Sequence, residues 1–231
     1  MILAQLQRRD RSQDDSCVAD NGVCPDWIVE NFDRYVTPFW EHVYLTVVSV
    51  AIGFAIAFSL ALLAHRRRWL TNPVIQVTGI LYTLPSVAVF FLLLPITGRG
   101  RTTAIIALVA YTLLILFRNV IAGLDNVPAD ARDAGRGMGL TRRQLLWRVE
   151  LPLAMPEIMA GLRIAVTTTV GLAALAFLAG AGGLGAAIFT DVNFRSNVLV
   201  AGGLAVGLAI VLDLLVLAVE RLITPWMRAA T

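Results

Sequence analysis

Long apolar stretches separated by short polar ones dominate this chain. An apolar stretch of about 20 residues, at about 1.5 Å of rise per helical residue, can cross a hydrocarbon core about 30 Å thick. About five membrane-spanning helices are predicted, at residues 43–64, 74–97, 102–124, 160–179 and 198–219. The pattern therefore predicts an all-α integral membrane fold rather than a soluble domain.

Residues 1–41, which precede the first predicted span, are polar and net acidic. Within them, aromatic and aliphatic side chains recur at helical spacing over residues 25–40, which predicts an amphipathic helix lying on the membrane surface. The chain is thus expected to divide into an N-terminal tail with a surface helix, residues 1–41, and a single transmembrane domain, residues 42–231.

Two cysteines, Cys17 and Cys24, lie in this polar tail. They can form a disulfide if the tail is outside the cytoplasm, and are expected to be free thiols if it is inside. Two cysteines allow one pairing but provide no disulfide framework, so both alternatives stay open at this point.

The distribution of arginine predicts the orientation in the membrane. Arg66, Arg67 and Arg68, together with the arginines of a polar segment at residues 125–156, would lie on the same side. Because cytoplasmic loops carry the excess of positive charge, this side is expected to face the cytoplasm. With five spans, the N-terminus is then outside the cell and the C-terminus is cytoplasmic.

Composition excludes several classes of enzyme. Of the 231 residues 58% are apolar, the net charge is +3, and lysine is absent. Without lysine the chain cannot contain a Walker A phosphate loop or use a lysine nucleophile. His42 and His65 form no cluster with metal-ligand spacing. No catalytic residue, bound cofactor or metal site is therefore expected in this chain.

The polar segment at residues 125–156 separates the third predicted span from the fourth. Pro128 suits the first turn of a short helix, and Gly139 suits the left-handed residue that ends one. This helix is expected to have a narrow apolar face, formed by Val127, Ala131, Ala134 and Met138.

A second short helix is predicted directly after the first. Thr141 and Gln144 have the spacing of a capping box, in which each side chain accepts a hydrogen bond from the other residue's backbone. Pro152 is expected to stop this second helix.

The same segment carries a spaced motif. Its residues are, in chain order, Asp133, Ala134, Gly135, Gly139, Val149, Glu150, Leu151 and Pro152. The spacing resembles the cytoplasmic coupling loop of permease subunits of binding-protein-dependent ABC importers, with the signature E-A-A, three residues, G, nine residues and I-x-L-P. Asp133 stands in place of the glutamate, Gly135 of the second alanine and Val149 of the isoleucine.

The flanking sequence is most similar to one branch of that family, the permeases for glycine betaine, carnitine and choline. The matching stretches are Arg118-Asn119, residues 131–140, residues 149–152 and residues 180–185. The resemblance covers about residues 41–222, and leaves the N-terminal 40 residues outside it.

This resemblance implies a transport subunit of a bacterial inner membrane, with a methionine-importer-type permease fold and no ATPase site of its own. The first short helix would dock onto a cytoplasmic ABC ATPase dimer, which binds ATP and magnesium. A second permease chain, identical or related, would complete the pathway, and an extracytoplasmic binding protein would deliver the solute. Membrane lipid is an expected partner and nucleic acid is not.

Candidate pathway or gate residues lie in three places. Polar residues interrupt the second span, three threonines lie in the fourth, and a glycine-rich segment follows it. These residues are Thr83, Pro85, Ser86, Thr167, Thr168, Thr169, Gly180, Gly182, Gly183 and Gly185. The glycines match G-x-G-x-x-G, but no βαβ unit surrounds them, so a tight turn, either a plain loop or part of a gate, is expected instead.

Arg118 and Asp213 are ionisable residues inside predicted spans, where an unpaired charge is costly. Each lies about two turns from the cytoplasmic end of its span, so a buried Arg118–Asp213 ion pair is one hypothesis. Side chains that reach water or the membrane surface are the alternative.

Three other functions remain to be weighed. A permease for another small polar solute, such as an amino acid, would share the same motif. A gradient-driven carrier would usually show internal repeats and more spans, and an intramembrane enzyme would need a convergent catalytic set. The chain shows neither of the last two patterns.

Overall fold

The computed structural model describes residues 17–226, and every regular element in that range is helical. This confirms the all-α fold predicted from hydropathy. The α-helices within these residues are α1 (Pro25–Glu30), α2 (Val36–Arg66), α3 (Thr71–Thr83), α4 (Ser86–Thr97), α5 (Arg101–Asp125), α6 (Ala129–Gly137), α7 (Arg142–Leu145), α8 (Leu151–Ala173), α9 (Leu184–Thr190) and α10 (Arg195–Ile223). Short 3-10 helices at Phe32–Tyr35, Arg68–Leu70 and Ala176–Ala179 and a π-helical turn at Leu146–Glu150 join them.

Three helical stretches within residues 17–226 are long and apolar enough to cross a membrane. They are Phe32–Arg66, which contains α2, Arg101–Asp125, which is α5, and Arg195–Ile223, which is α10. A fourth is present if α3 and α4 count as one broken span. The predicted span at residues 160–179 is divided between α8 and a 3-10 helix. Glu157 and Arg163 make α8 less apolar, and it is not among these candidates.

The second predicted span is broken rather than merely kinked. The helices on either side of Leu84 and Pro85 are bent by 98° relative to each other. Leu84 has extended backbone, with ψ 136°, as expected of a residue that precedes proline. The free carbonyl of Leu84 accepts a hydrogen bond of 2.6 Å from the Tyr111 hydroxyl, which satisfies a backbone group that the break exposes.

Helix α5 lies at the centre of the packing and contributes to two apolar clusters. The cluster nearer the 125–156 segment, here the near cluster, includes Ala57, Phe117, Leu124, Leu151 and Ile158. The cluster at the opposite end, here the far cluster, includes Leu45, Phe90, Leu108, Tyr111 and Ala173. Because α2, α5 and α8 supply residues to both clusters, these three helices form the body of the molecule.

Small residues bring these three helices into close contact. A Cβ atom on Gly53 of α2 would overlap the side chain of Thr112 of α5. A Cβ atom on Gly161 of α8 would likewise overlap Asn119 of α5. Close approach of this kind is how helices pack where surrounding lipid removes the hydrophobic driving force between them.

The predicted surface helix over residues 25–40 is wrong in its extent. Helix α1 ends at Glu30, and the side-chain amide of Asn31 donates to the Trp27 carbonyl at 2.9 Å. The chain then turns through a 3-10 helix into α2, which starts at Val36, seven residues before the predicted first span. Tyr35 is buried and donates to the side chain of Asn197 in α10 at 2.8 Å, which holds this region against the helical body.

The N-terminal tail is tied to the start of α10. Cys17 and Cys24 form a disulfide, with their Cα atoms 5.8 Å apart. The Cys24 N–H donates to the Ser196 hydroxyl at 2.9 Å, and that hydroxyl donates to the Gly22 carbonyl at 3.0 Å. Trp27 packs edge-on against Phe194, with the ring centres 4.6 Å apart. The remainder of the tail, residues 1–16, and residues 227–231 lie outside the described range.

Candidate coupling site

The polar segment leaves the apolar body as two short helices. Pro128 has extended backbone, with ψ 138°, and directly precedes α6. Gly139 follows this helix with φ 79°, a left-handed conformation that glycine adopts at low cost. The capping box predicted for α7 is present, since the Thr141 N–H donates to the Gln144 side chain at 2.9 Å and the Gln144 N–H donates to the Thr141 hydroxyl at 3.3 Å.

The stop predicted at Pro152 is wrong. The backbone stays helical from α7 through the π-helical turn at Leu146–Glu150 and into α8. Pro152 is the second residue of α8 and has no N–H to donate. The π turn directly before it changes the hydrogen-bond register, so the backbone stays helical through the proline. A single helical rod therefore runs from the polar segment into the body of the molecule.

A buried carboxylate fixes α6 to this body. Glu150 is 7% exposed. One of its oxygens accepts from Arg132 Nε of α6 at 3.0 Å, and the other accepts from His65 Nε2 at the end of α2 at 3.1 Å. Arg132 also donates to the Leu124 carbonyl near the end of α5. The position of α6 therefore depends on groups from α2, α5 and the π turn together.

Sequence reasoning did not single out this network. Glu150 was recognised only as the variable position of the motif, although an acid among apolar neighbours was a usable signal. In the sequence, Arg132 and Glu150 are 18 residues apart, and His65 and Glu150 are 85 residues apart. No periodicity links positions this distant, so their contact could not be predicted from the sequence.

The apolar face predicted for α6 does not form a single surface. Val127 is buried and Ala131 is half-buried, whereas Ala134 is exposed and Met138 is 73% exposed. Gly135 instead faces the body, where an added Cβ would lie 2.6 Å from Leu145 Cδ1 and 3.5 Å from Val149 Cγ2. The helix is rotated relative to the prediction because Gly135 permits the closest approach to α7.

The motif residues therefore divide into two groups. Asp133, Ala134 and Gly139 are exposed, and the Asp133 carboxylate accepts from Arg136 at 3.1 Å at the surface. Gly135 and Leu151 are buried, Leu151 in the near cluster, while Val149 and Pro152 are half-buried. The first group lies on the outer surface, and the second packs against the body of the molecule.

The candidate pathway residues border the far cluster. Thr83 ends α3, Pro85 precedes α4 and Ser86 begins it, so these three lie at the helix break. Thr83 and Pro85 are exposed and Ser86 is half-buried. Tyr82 packs edge-on against Tyr111, with ring centres 6.0 Å apart. The break therefore exposes polar groups beside an aromatic pair.

The threonines of α8 bond along their own helix. Thr169 is buried and donates to the Ala165 carbonyl at 2.6 Å, and Thr167 donates to the Arg163 carbonyl at 3.0 Å. Thr168 is half-buried. Bonds of this kind satisfy the hydroxyl without linking two helices.

The glycine-rich segment is a tight turn that rests on α2. Gly180, Gly182 and Gly183 have φ between 77° and 86°, which favours glycine. A Cβ atom on Gly185 would overlap the carbonyl of Ala174. The turn is therefore possible only with these small residues.

Two adjacent side chains of α2 hold this turn. The Glu41 carboxylate accepts from the Gly183 N–H at 3.1 Å and from Arg101 at 2.8 Å. His42 is fully buried, and its Nδ1 accepts from the Leu184 N–H at 3.3 Å while its Nε2 donates to the Val170 carbonyl at 2.9 Å. The start of α2, the turn and α8 are thereby joined at this end of the molecule.

The hypothesised Arg118–Asp213 ion pair is wrong. Asp213 of α10 is bound by Arg163 of α8, whose Nε and Nη2 donate to its two oxygens at 2.8 and 2.7 Å. Arg118 is exposed and forms no ion pair with another residue of the described range. The helix packing explains the difference, because α8 rather than α5 lies against α10. Within residues 17–226, no three His, Cys, Asp or Glu side chains are grouped so as to hold a metal ion.

Residues 49–229 match the family described as "Binding-protein-dependent transport system inner membrane component". The osmoprotectant import permease protein OsmW of Salmonella typhimurium is 35% identical over 206 residues, which cover 86% of this chain and 96% of that protein. The carnitine transport permease protein OpuCB of Listeria monocytogenes is 36% identical over 198 residues, which cover 85% of this chain and 91% of that protein.

Two solved structures show the same fold. The inward-facing MetNI methionine ABC transporter superposes with a TM-score of 0.67 at 24% identity, covering 85% of this chain and 96% of that one. An amino acid ABC transporter solved with histidines superposes with a TM-score of 0.70 at 16% identity, covering 84% of this chain and 96% of that one. The methionine-importer-type fold expected from the motif is thereby confirmed.

Replacing Glu150 should release α6 from the body. In Glu150→Gln the carboxylate that binds Arg132 and His65 loses its charge, and breaking a buried ion pair costs about 3–5 kcal/mol. We expect faster trypsin cleavage after the arginines of residues 132–143 in purified protein. Asp133→Asn is the matched control, because its exposed pair with Arg136 contributes little. Equal cleavage rates in the two variants would contradict the anchoring role.

Proposed function

The chain belongs to the family of binding-protein-dependent transport system inner membrane components, and we propose that it forms the pathway of an ABC importer for quaternary ammonium osmolytes. Glycine betaine, carnitine and choline are the expected solutes. The observation that carries this substrate class is the identity of about 35% to permeases named for those solutes, over most of the chain. The family itself establishes a permease subunit of an inner membrane.

The exposed face of α6 is the proposed docking surface for a cytoplasmic ABC ATPase. Ala134 and Met138 are apolar and exposed on this face, and Asp133 is a charged residue beside them. An apolar centre with a charged rim is typical of a specific interface. The ATPase would bind ATP and magnesium, since this chain has no lysine for a Walker A loop.

The continuous helical rod from α7 into α8 would carry movement of that surface to the body formed by α2, α5 and α8. A push on α6 reaches α7 through the contact of Gly135 with Leu145, and α7 continues without a break into α8. Because α8 packs closely on α5 at Gly161, the movement would be passed to the centre of the molecule. Two such chains, identical or related, would open the pathway alternately to each side.

The helix break at residues 83–86 and the glycine-rich turn at residues 180–185 are the proposed pathway and gate elements. Both border the far cluster, which the α6 surface does not touch. The exposed polar groups at the break suit a solute passage, and the Glu41 and His42 contacts suit a closed gate. The high-affinity aromatic cage for a quaternary ammonium group would belong to an extracytoplasmic binding protein.

Two independent observations support a tail outside the cytoplasm. Disulfides persist in oxidising compartments, and the Cys17–Cys24 disulfide lies in the tail. Arg66, Arg67 and Arg68 lie at the opposite end of α2, close to the arginine-rich polar segment, and such an excess of positive charge favours the cytoplasmic side. The polar segment and the C-terminus would then be cytoplasmic.

Uptake by proteoliposomes tests the transport function. The chain assembled with its ATPase and binding protein should accumulate labelled glycine betaine, carnitine or choline only when ATP is supplied. Accumulation driven by an ion gradient without the ATPase would identify a carrier instead. ATP-dependent uptake of an amino acid, and of none of the three osmolytes, would overturn the proposed substrate class.

Gly139→Val should uncouple ATP hydrolysis from transport. The left-handed backbone at this position strains a β-branched residue by about 1–3 kcal/mol, which would move α6 relative to α7. We expect the solute imported per ATP hydrolysed to fall sharply. Gly203→Ala is the matched control, because this helical glycine of α10 lies outside α6, has open space for a Cβ, and alanine favours the helix by about 1 kcal/mol. Normal coupling in Gly139→Val would contradict the assigned surface.

Thiol labelling of intact cells tests the orientation. A membrane-impermeant maleimide should label Cys17 and Cys24 only after an external reductant has opened their disulfide. The double variant Cys17→Ser/Cys24→Ser should give no signal under either condition. Labelling that requires permeabilised cells would place the tail in the cytoplasm and contradict the proposed orientation.

A further inference from the structure

An ion pair lies between α8 and α10, in the membrane-spanning part of the chain. The planar guanidinium of Arg163 donates two parallel hydrogen bonds to the Asp213 carboxylate, at 2.8 and 2.7 Å. We propose that this pair transmits the movement of α8 to the half of α10 nearer the C-terminus, and so makes Arg163 and Asp213 positioning residues for transport. This inference rests on the proposed coupling of ATP hydrolysis to transport.

Helix α10 is packed unevenly along its length. Its buried residues are Ser196, Asn197, Ala201 and Leu208. No residue of α10 beyond Leu208 is buried. The second half of this helix instead packs through half-buried side chains, among them Leu212, Val216 and Leu217, and Asp213 lies on the same face.

The start of α10 is held by a different set of contacts. Its first N–H, at Arg195, donates to the Asn21 side chain at 2.8 Å. Ser196 binds the disulfide-closed loop, and Asn197 accepts from Tyr35 and donates to the Ala187 carbonyl at 2.8 Å. The start of the helix is thus fixed to the tail, to the 3-10 helix before α2 and to α9, while Asp213 binds the second half to α8.

Arg163 lies well inside the helical rod. It is 12 residues after Leu151, or about 18 Å along the helix at about 1.5 Å per residue. Gly161, two residues earlier, is pressed against Asn119 of α5. The segment of α8 around Arg163 therefore packs against α5 on one side. On the other side, the Arg163 side chain binds α10.

The chemistry of the pair suits a mechanical link. A bidentate arginine–carboxylate contact fixes both distance and orientation. A charge left unpaired in the apolar part of a membrane is costly, so separating the two groups is strongly disfavoured. When α8 shifts, the second half of α10 must move with it or lose this contact.

Measuring solute uptake and phosphate release in the same proteoliposomes tests this inference. Asp213→Asn and Arg163→Gln should lower the labelled osmolyte imported per ATP hydrolysed by about tenfold, a size typical of coupling between sites. ATP hydrolysis should stay close to the wild-type rate. A loss of structure would lower hydrolysis as well, so a lower ratio at an unchanged hydrolysis rate is specific to coupling. The charge-swapped double variant Arg163→Asp/Asp213→Arg should restore most of the ratio, because it re-forms the ion pair with the charges exchanged.

Asp191→Asn is the matched control. It removes an aspartate of another arginine pair, Arg34–Asp191, which lies at the surface with side chains 38% and 43% exposed, and its ratio should equal that of the wild type. An unchanged ratio in Asp213→Asn would overturn the inference. So would a parallel fall of hydrolysis and uptake that the double variant does not rescue. A wild-type complex without ATP-dependent uptake, measured first, would overturn the proposed function itself.

Discussion

The buried carboxylate of Glu150 is the contact on which the arrangement of the polar segment depends. It binds Arg132 and His65, and Arg132 reaches the Leu124 carbonyl as well. These groups come from the ends of two central helices and from both parts of the polar segment. A buried charge is tolerated only when its partners are in place, so α6 can occupy a single position relative to the body.

The body can respond as a unit because its helices touch through small residues. Gly53 against Thr112 and Gly161 against Asn119 leave no space for α2 or α8 to slide independently of α5. Packed helices of this kind move as rigid elements between discrete arrangements rather than bending continuously. Helix α10 differs, since its second half has no fully buried residue and meets α8 through half-buried side chains and the Arg163–Asp213 pair. The two ends of this helix are therefore controlled by different parts of the chain.

Much of the fold was predictable from local patterns. Hydropathy located the long helices, the spacing from Asp133 to Pro152 located the surface segment, and the capping box of Thr141 and Gln144 is a purely local signal. Three features depended on information that the sequence does not carry locally. The rotation of α6 follows from the contact of Gly135 with Leu145, the continuity through Pro152 follows from a π turn, and the 3-10 helix between α1 and α2 is held by the docking of Tyr35 on Asn197.

The ion pair of Asp213 also could not be predicted from local sequence patterns. Residue counting assigns a depth in the membrane to each charge, and Arg118 was a reasonable partner by depth alone. Which helix lies beside α10 is decided by packing in three dimensions, and α8 occupies that place with Arg163 facing the carboxylate.

Of the three substitutions in the motif, Gly135 and Asp133 lie in different surroundings. Gly135 stands where the family signature has alanine, and it is buried with Leu145 Cδ1 only 2.6 Å from the position of an added Cβ. Glycine weakens a helix by about 1 kcal/mol relative to alanine, but here it allows α6 to lie closer to α7, and Glu150 holds the helix independently. Asp133 is exposed beside Ala134, so its shorter side chain changes only the outer surface of the segment. The inward half of the motif therefore preserves its geometry through compensation within this chain, whereas the substitution in the outward half leaves the packing of α6 unchanged.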